Sequence, residues 1–166
     1  LARQGAWRII SCEPVPGTLR YLKANLDLNK DVCATRVVLI ETAAWSHVRQ
    51  FRCAPPFHPD NLGGTSLVED ARGEILGVPL DAYRPLFGQQ VSLIKIDAQG
   101  SDFAALQGLA ETIAQDHPVI VFEWEAELAS AHGHTYEMVQ AWLEDRGYQI
   151  LPWPSHRSNY LARWRG

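Results

Sequence analysis

Residues 91–109 constrain the fold more than any other stretch of this chain. They begin with a short apolar run at 93–96 that polar residues bound on both sides, a pattern typical of a buried strand. Asp97 stands where that strand ends, and Gly100 permits a tight turn because glycine takes a positive φ without a Cβ clash. Open α/β sheets bind their ligands at such strand-to-helix turns, so we expect a functional site here.

The turn leads into a helix. Ser101 or Asp102 is predicted to cap its start, because their side-chain oxygens accept hydrogen bonds from N–H groups that lack partners in the first turn. Thr18 is predicted to cap an earlier helix in the same way. Apolar side chains three or four residues apart are expected to form the buried face of the later helix: Phe103, Leu106, Leu109 and Ile113.

Further apolar runs predict the remaining strands: 7–12, 36–40, 118–123, 148–151 and 159–164. Because helix patterns lie between most of these runs, the fold is predicted to be α/β, with a mostly parallel, Rossmann-like sheet. The last two runs are joined by a short turn and predict an antiparallel pair at one sheet edge. No repeat or linker interrupts the pattern, so residues 1–166 are expected to form a single domain.

Residues 46–80 show the least regular pattern. Residues 48–53 alternate in the manner of an edge strand. Residues 61–66 suggest a flexible loop, and the proline in 77–83 favours an extended piece at an edge. Irregular segments of this length usually form lids or binding loops.

The loop 55–66 is therefore the best candidate for a lid over a substrate pocket. It contains His58 and the glycine pair Gly63 and Gly64, which give it conformational freedom.

Composition excludes several classes of protein. The net charge is −4 and the pI is about 5.8, so no global basic signal favours nucleic acid or an anionic membrane. No apolar run approaches the roughly 20 residues that span a bilayer. Cys12, Cys33 and Cys53 are widely spaced without a CxxC pair, which argues against disulfides or zinc and favours a reducing, cytoplasmic compartment. His132 and His134 lack a third ligand at a fixed spacing, so no metal site is predicted.

Glu13 follows the first predicted strand and precedes a helix. In nucleotide-binding α/β folds, an acid in this place accepts hydrogen bonds from two ribose hydroxyls. The alternative is a polar Glu-Pro turn that binds nothing, and the residues alone leave both interpretations open.

Thr42, Ala43 and Ala44 stand at the end of the next strand. Their small side chains and a backbone N–H could flank an adenine ring, although an ordinary small-residue turn has the same sequence. Trp45 fits a core position better than a stacking role on that ring.

Asp97 is expected to face the crevice at the sheet's carboxyl end, where it would contact a cofactor or a substrate. It could take a proton from a substrate hydroxyl, orient that hydroxyl or bind a divalent metal, or it could simply cap the turn to Gly100. Glu123 ends the next strand in the same way, so the two acids could converge on a substrate. Lys95 is expected to pair with an acid such as Glu123.

Four segments, in this order, resemble the FkbM-type family of S-adenosylmethionine-dependent methyltransferases. They are Cys12-Glu13-Pro14 followed by Leu22 and Asn25 to Asn29, residues 41–44 (Glu-Thr-Ala-Ala), residues 61–67 (Asn-Leu-Gly-Gly-Thr-Ser-Leu) and residues 93–103 (Leu-Ile-Lys-Ile-Asp-Ala-Gln-Gly-Ser-Asp-Phe). Residues 118–123 and 147–148 continue in step, so the resemblance covers nearly the whole chain. Gln99 and Asp102 stand where the family often has glutamate, and we interpret both as tolerated variants.

The resemblance implies a central first strand followed by a glycine-rich loop that wraps the methionine part of the cofactor. Neither is found in this chain. A sheet without that strand leaves two inner strands unpaired. We therefore expect one βα unit, of roughly 30 residues or more, to precede residue 1 in the full gene product.

The resemblance also implies the chemistry. S-adenosylmethionine would be the cofactor, with Glu13 on its ribose, and the methyl acceptor would be a hydroxyl of a sugar or natural product, by analogy alone. A non-catalytic binding or assembly domain that has lost its cofactor loop is the alternative. A nicotinamide-dependent dehydrogenase is a third interpretation, against which the turn at 97–100 and the final strand pair argue.

Overall fold

The computed structural model describes residues 8–33, 36–55, 61–153 and 158–166. Its strands and helices follow one another in this order: β1 (Ile9–Cys12), α1 (Pro16–Leu28), α2 (Lys30–Cys33), β2 (Val37–Ile40), β3 (Ala43–Ala44), β4 (Arg49–Cys53), β5 (Leu67–Glu69), β6 (Ile75–Val78), α3 (Arg84–Phe87), β7 (Leu93–Ile96), α4 (Asp102–Gln107), α5 (Ala110–Asp116), β8 (Val119–Glu123), α6 (Ala126–Ser130), α7 (Tyr136–Glu144), β9 (Tyr148–Pro152) and β10 (Asn159–Trp164). Short 3₁₀ turns cover Leu62–Gly64 and Leu80–Tyr83. The mixed α/β class is as predicted.

The strands form three sheets within the described residues. β1 pairs with β2 in parallel, a second sheet has the order β7-β8-β10-β9, and a third has the order β3-β6-β4-β5. The predicted antiparallel pair is confirmed, since β10 runs against β9 and β9 lies at the edge. The prediction of one mostly parallel sheet does not hold for these residues. Only the pairs β1–β2, β7–β8 and β3–β6 are parallel, and no described strand joins β1 to β7.

The third sheet arises from residues whose pattern suggested little order. β4 was predicted as an edge strand, but it lies between β6 and β5. Its Phe51 is fully buried and its ring centroid lies 4.6 Å from that of Trp45. A Cβ on Gly77 of β6 would stand 2.5 Å from Phe51 Cε2, so the glycine makes room for this ring. Trp45 is therefore a core residue.

The larger core lies on the sheet β7-β8-β10-β9 beneath α4, α5 and α7. Its fully buried members include residues from each of these layers: Leu106, Ile113, Ile120, Phe122, Val139, Leu143 and Ala162. The predicted apolar face of the helix after Asp97 is buried as expected. β7 differs from the prediction, because Leu93 is 43% exposed while Ile94 and Ile96 are buried. One face of β7 is therefore open.

Two helix predictions need correction. The helix expected after Asp97 is broken into α4 and α5 at Gly108, where a Cβ would lie 2.1 Å from the carbonyl oxygen of Trp45. The first helix begins at Pro16 with Val15 at its N-cap, so Thr18 lies inside α1 and does not cap it. Proline suits the first helical turn because its missing N–H would have no partner there.

Within the residues described, none of the helices combines the length and apolarity that a bilayer crossing requires.

Candidate active site

The carboxyl ends of β1 and β7 open on one large cavity of about 940 Å³. Glu13 follows β1 and Asp97 follows β7, and both line this cavity. Ala43 and Ala44 of β3 line it from the side of the third sheet. The structure thus brings together four residues that were predicted from three separate strand ends.

Glu13 has a local structural role as well as a place in the cavity. Its Oε1 accepts a hydrogen bond from the Val15 N–H at 2.8 Å, which closes the turn into α1. Its own N–H donates to the Ile40 carbonyl at 3.1 Å and extends the β1–β2 ladder. Burial raises the pKa of the Glu13 carboxyl above its usual range. The two interpretations offered by the sequence, turn former and cavity ligand, are therefore compatible.

Thr42 does not line the cavity, although it was predicted beside Ala43. Its hydroxyl oxygen is buried and finds no hydrogen-bond partner among the described residues. Its carbonyl accepts a hydrogen bond from the Cys12 thiol at 2.7 Å. Burial raises the pKa of Cys12 to about 11, so this thiol stays protonated and is a poor nucleophile at neutral pH.

Asp97 accepts hydrogen bonds on both carboxyl oxygens. Lys95 Nζ lies 3.0 Å from Oδ2, and Gln99 Nε2 lies 3.2 Å from Oδ1. Lys95 therefore pairs with Asp97, at the end of its own strand. The prediction that it pairs with Glu123 was wrong. Burial on its own raises the pKa of Asp97, but the hydrogen bonds from Lys95, Glu123 and Gln99 outweigh it and lower that pKa. Asp97 is thus ionised at neutral pH.

Glu123 lies beside Asp97 at the end of β8, outside the lining of the cavity. Burial, and then its hydrogen bond with Asp97, raise the pKa of Glu123. Ser158 Oγ donates to Glu123 Oε1 at 3.0 Å and holds this side chain in place. The two acids lie side by side as predicted, and the shared hydrogen bond favours ionisation of Asp97 over that of Glu123. Their convergence on a substrate stays a prediction.

The turn after Asp97 is shaped by a buried acid whose role sequence reasoning missed. Asp102 accepts hydrogen bonds from the N–H groups of Ala98 and Gly100, both at 3.2 Å. Burial raises its pKa from 3.8 to about 6. Asp102 therefore folds the turn back onto itself, whereas Ser101, the N-cap residue, makes no side-chain cap.

Gly100 in this turn has φ +95°, which favours glycine. A Cβ there would lie 2.6 Å from the Leu128 backbone, so α6 closes over the turn from outside. The only sequence signal for this arrangement was the acid directly after the Gly-Ser pair, which also fitted a helix cap.

The loop predicted as a lid is only partly described. His58 lies outside the described residues. Gly63 lines the cavity, whereas Gly64 does not. The predicted flexible loop contains a 3₁₀ turn in which the Asn61 side chain accepts the Gly64 N–H at 3.2 Å. Gating by this segment stays a prediction.

The described residues contain no group of three or more His, Cys, Asp or Glu side chains placed to hold a metal ion. The carboxylates of Asp97 and Glu123 are instead engaged with each other and with Lys95.

The comparisons with known proteins agree with this architecture. Residues 1–150 match the family model of the methyltransferase FkbM domain. The fold is similar to the crystal structure of a methyltransferase FkbM from Methylobacillus flagellatus KT, with a TM-score of 0.61 and 20% sequence identity. That match covers 95% of this chain and 36% of the other, so this chain spans little more than a third of that protein's length. No curated protein matched the sequence. Because the family model covers most of the chain, the protein belongs to the FkbM family of methyltransferase domains.

Proposed function

We propose that this domain transfers a methyl group from S-adenosylmethionine to a hydroxyl oxygen of a small-molecule or glycan acceptor. One observation carries the proposal: acids at the ends of β1 and β7 open on the same cavity, beside two small alanines. Its volume of about 940 Å³ is in the range of small-molecule sites, which is roughly 300–1,000 Å³. Membership of the FkbM methyltransferase family supports the choice of cofactor.

The residues present fit the adenosine part of this cofactor. Glu13 would accept hydrogen bonds from ribose hydroxyls, as an acid at the carboxyl end of a strand does in nucleotide-binding folds. Ala43 and Ala44 leave room for the flat adenine ring between the sheets. The bound cofactor supplies a methyl group on a positively charged sulfur, and its transfer is an in-line displacement that depends mainly on alignment.

Asp97 would orient the acceptor hydroxyl at the end of β7. Its lowered pKa makes it a weak base at neutral pH, because proton transfer is most effective when the pKa lies near the working pH. An ionised carboxylate still accepts a strong hydrogen bond from a hydroxyl. Of the roles open to Asp97, orientation is therefore favoured over proton removal, and the hydrogen bond with Glu123 helps to position Asp97.

The experiment that tests the cofactor site is calorimetric titration with S-adenosylhomocysteine, on this chain and on the full-length gene product. Glu13→Ala should weaken binding by about 1–3 kcal/mol, the cost of losing one partner of a charged hydrogen bond. Glu41→Ala is the matched control, because Glu41 stands at the next strand end but pairs with Lys23 outside the cavity lining.

An unchanged dissociation constant in Glu13→Ala would remove Glu13 from the site. If neither folded protein bound the ligand, the non-catalytic interpretation would replace the proposed activity.

A further inference from the structure

Gln99 holds a backbone conformation that glutamine rarely adopts. Its φ is 49°, in the left-handed region, and the next residue, Gly100, has φ 95°. Glycine takes such angles freely, whereas a residue with a long side chain is strained there. Non-glycine residues in this region persist where the surrounding structure fixes them, and they cluster at functional sites. A glycine would suit this backbone better, so the turn itself does not require the glutamine side chain.

The backbone of the turn is fixed on both sides of Gln99. The N–H groups of Ala98 and Gly100 both donate to the buried Asp102 carboxyl group at 3.2 Å. The Ala98 carbonyl accepts hydrogen bonds from the N–H and the hydroxyl of Ser101. These bonds impose the left-handed conformation on Gln99 without help from its side chain.

The side-chain amide of Gln99 contacts Asp97 and approaches the 3₁₀ turn Leu62–Gly64. Its Nε2 donates to Asp97 Oδ1 at 3.2 Å. Its Oε1 lies 3.7 Å from the place where a Cβ on Gly64 would stand. Gln99 and Asp97 both line the cavity, as does Gly63 of the 3₁₀ turn. The amide therefore lies between the acid at the end of β7 and the segment predicted as a lid.

Hydrogen bonds restrict how the Asp97 carboxylate can receive a ligand. An ionised carboxyl group has about four acceptor sites on its two oxygens. Lys95 Nζ takes one on Oδ2 at 3.0 Å, and Gln99 Nε2 takes one on Oδ1. The hydrogen bond that Asp97 shares with Glu123 takes a third. Counted over the described residues, about one acceptor site remains, and the other three contacts set its direction.

We propose that Gln99 is a positioning residue for the methyl acceptor: its amide fixes the Asp97 carboxylate so that the remaining acceptor site receives the acceptor hydroxyl. This inference rests on the proposed function, in which Asp97 orients that hydroxyl. An ionised glutamate at position 99 could not take this role, because it has no donor for Asp97 and its charge would repel the Asp97 carboxylate. The interpretation of Gln99 as a tolerated variant of glutamate is thus replaced by a specific role.

Two substitutions separate this role from a structural one. Gln99→Gly suits the left-handed backbone, so it would preserve a role that was only structural. It removes the amide, and the pKa of Asp97 should rise because a hydrogen bond that favours the ionised carboxylate is lost. Gln99→Glu keeps the length of the side chain and should raise this pKa further, through repulsion between two carboxylates.

The measurements are an NMR titration of the Asp97 carboxyl carbon and the three-bond couplings that report the χ1 rotamer of Asp97, both on the 166-residue chain. We expect a single rotamer in the wild type and averaged couplings in Gln99→Gly. Gln89→Glu is the matched control, because it makes the same change in a residue that lines the same cavity before the start of β7. It should leave the pKa and the couplings of Asp97 as they are in the wild type. Circular dichroism checks that each variant is folded.

Two results would overturn the proposal directly. One is an unchanged pKa and rotamer of Asp97 in Gln99→Gly, since the amide would then do nothing for the carboxylate. The other is an equal change in Gln89→Glu, because the effect would then come from the charge of the cavity and not from the hydrogen bond.

A failure of the proposed function would look different, because the titration needs no cofactor. S-adenosylhomocysteine would not bind, while the pKa of Asp97 would still increase in the order wild type, Gln99→Gly, Gln99→Glu. That result would confirm the hydrogen bond from Gln99 and refute its role toward a methyl acceptor.

Discussion

Asp97 and Glu123 end two adjacent parallel strands and share a hydrogen bond, and the pKa values of the two carboxyls are shifted in opposite directions. Parallel pairing aligns Ile96 with Phe122, which places the two acids side by side. Burial and the neighbouring charge raise the pKa of Glu123, while Lys95 helps to keep Asp97 ionised. Of the two carboxyls, Asp97 is therefore the one that ionises first as the pH rises.

Asp97→Asn should lower the pKa of Glu123. The substitution removes a negative charge and a hydrogen-bond partner that disfavour ionised Glu123, while burial continues to raise its pKa. The measurement is an NMR titration of the Glu123 carboxyl carbon. Glu125→Gln is the control and should lower this pKa less, because the charge of Glu125 raises the pKa of Glu123 less than Asp97 does. Equal effects of the two substitutions would show that the shared hydrogen bond does not exist in solution.

Asp102→Asn should remove a pH dependence from the free energy of unfolding. The folded state raises the pKa of Asp102 from 3.8 to about 6, so it favours the protonated form. The stability from this preference is present below about pH 4 and is lost as the pH rises through about 6, by about 2–3 kcal/mol. Urea unfolding of both proteins from acid to neutral pH should show the variant gaining on the wild type by this amount. Parallel curves would contradict the assignment.

Strands of the sheet β7-β8-β10-β9 could be predicted from sequence because each is a continuous apolar run bounded by polar residues or turns. The prediction of a strand at 159–164 matches β10, and that at 118–123 matches β8 except for its first residue. The third sheet could not be predicted in this way, since β3 has two residues and β5 has three. Its organising contact is the close approach of Gly77 to the Phe51 ring, a tertiary feature that no local period reports.

In the candidate site, too, some residues could be predicted from the local sequence pattern, whereas others depend on tertiary contacts. Glu13 and Asp97 were predictable because an acid directly after an apolar strand lies at the carboxyl edge of the sheet. Asp102 also follows Asp97 closely, but it is buried in a turn against which α6 packs at Gly100, a tertiary contact that no local pattern reports. The pairing of Lys95 was predicted wrongly, because the Asp97 carboxylate turns back toward its own strand and lies 3.0 Å from Lys95 Nζ.

Gly108→Ala should destabilise the protein, whereas Gly17→Ala should not. A Cβ at Gly108 would meet the Trp45 carbonyl oxygen at 2.1 Å and the Pro79 Cα at 3.2 Å, both backbone atoms that cannot swing aside. Overpacking of this kind costs about 1–3 kcal/mol. Gly17 lies in α1 with nothing within 4 Å of its added Cβ, so alanine should stabilise by up to about 1 kcal/mol. Denaturant unfolding of both variants checks the prediction, and a shift of the same sign in each would refute it.

Thr42→Val should leave the free energy of unfolding unchanged or raise it by up to about 1 kcal/mol, because the buried hydroxyl has no hydrogen-bond partner among the described residues. Thr112→Val is the matched comparison. The Thr112 hydroxyl donates to Asp81 Oδ1 at 2.6 Å and accepts from Arg84 Nη1 at 3.1 Å, so its loss should cost about 1–2 kcal/mol. Urea unfolding under identical conditions measures both. An equal loss in the two variants would show that the Thr42 hydroxyl has a hydrogen-bond partner in solution.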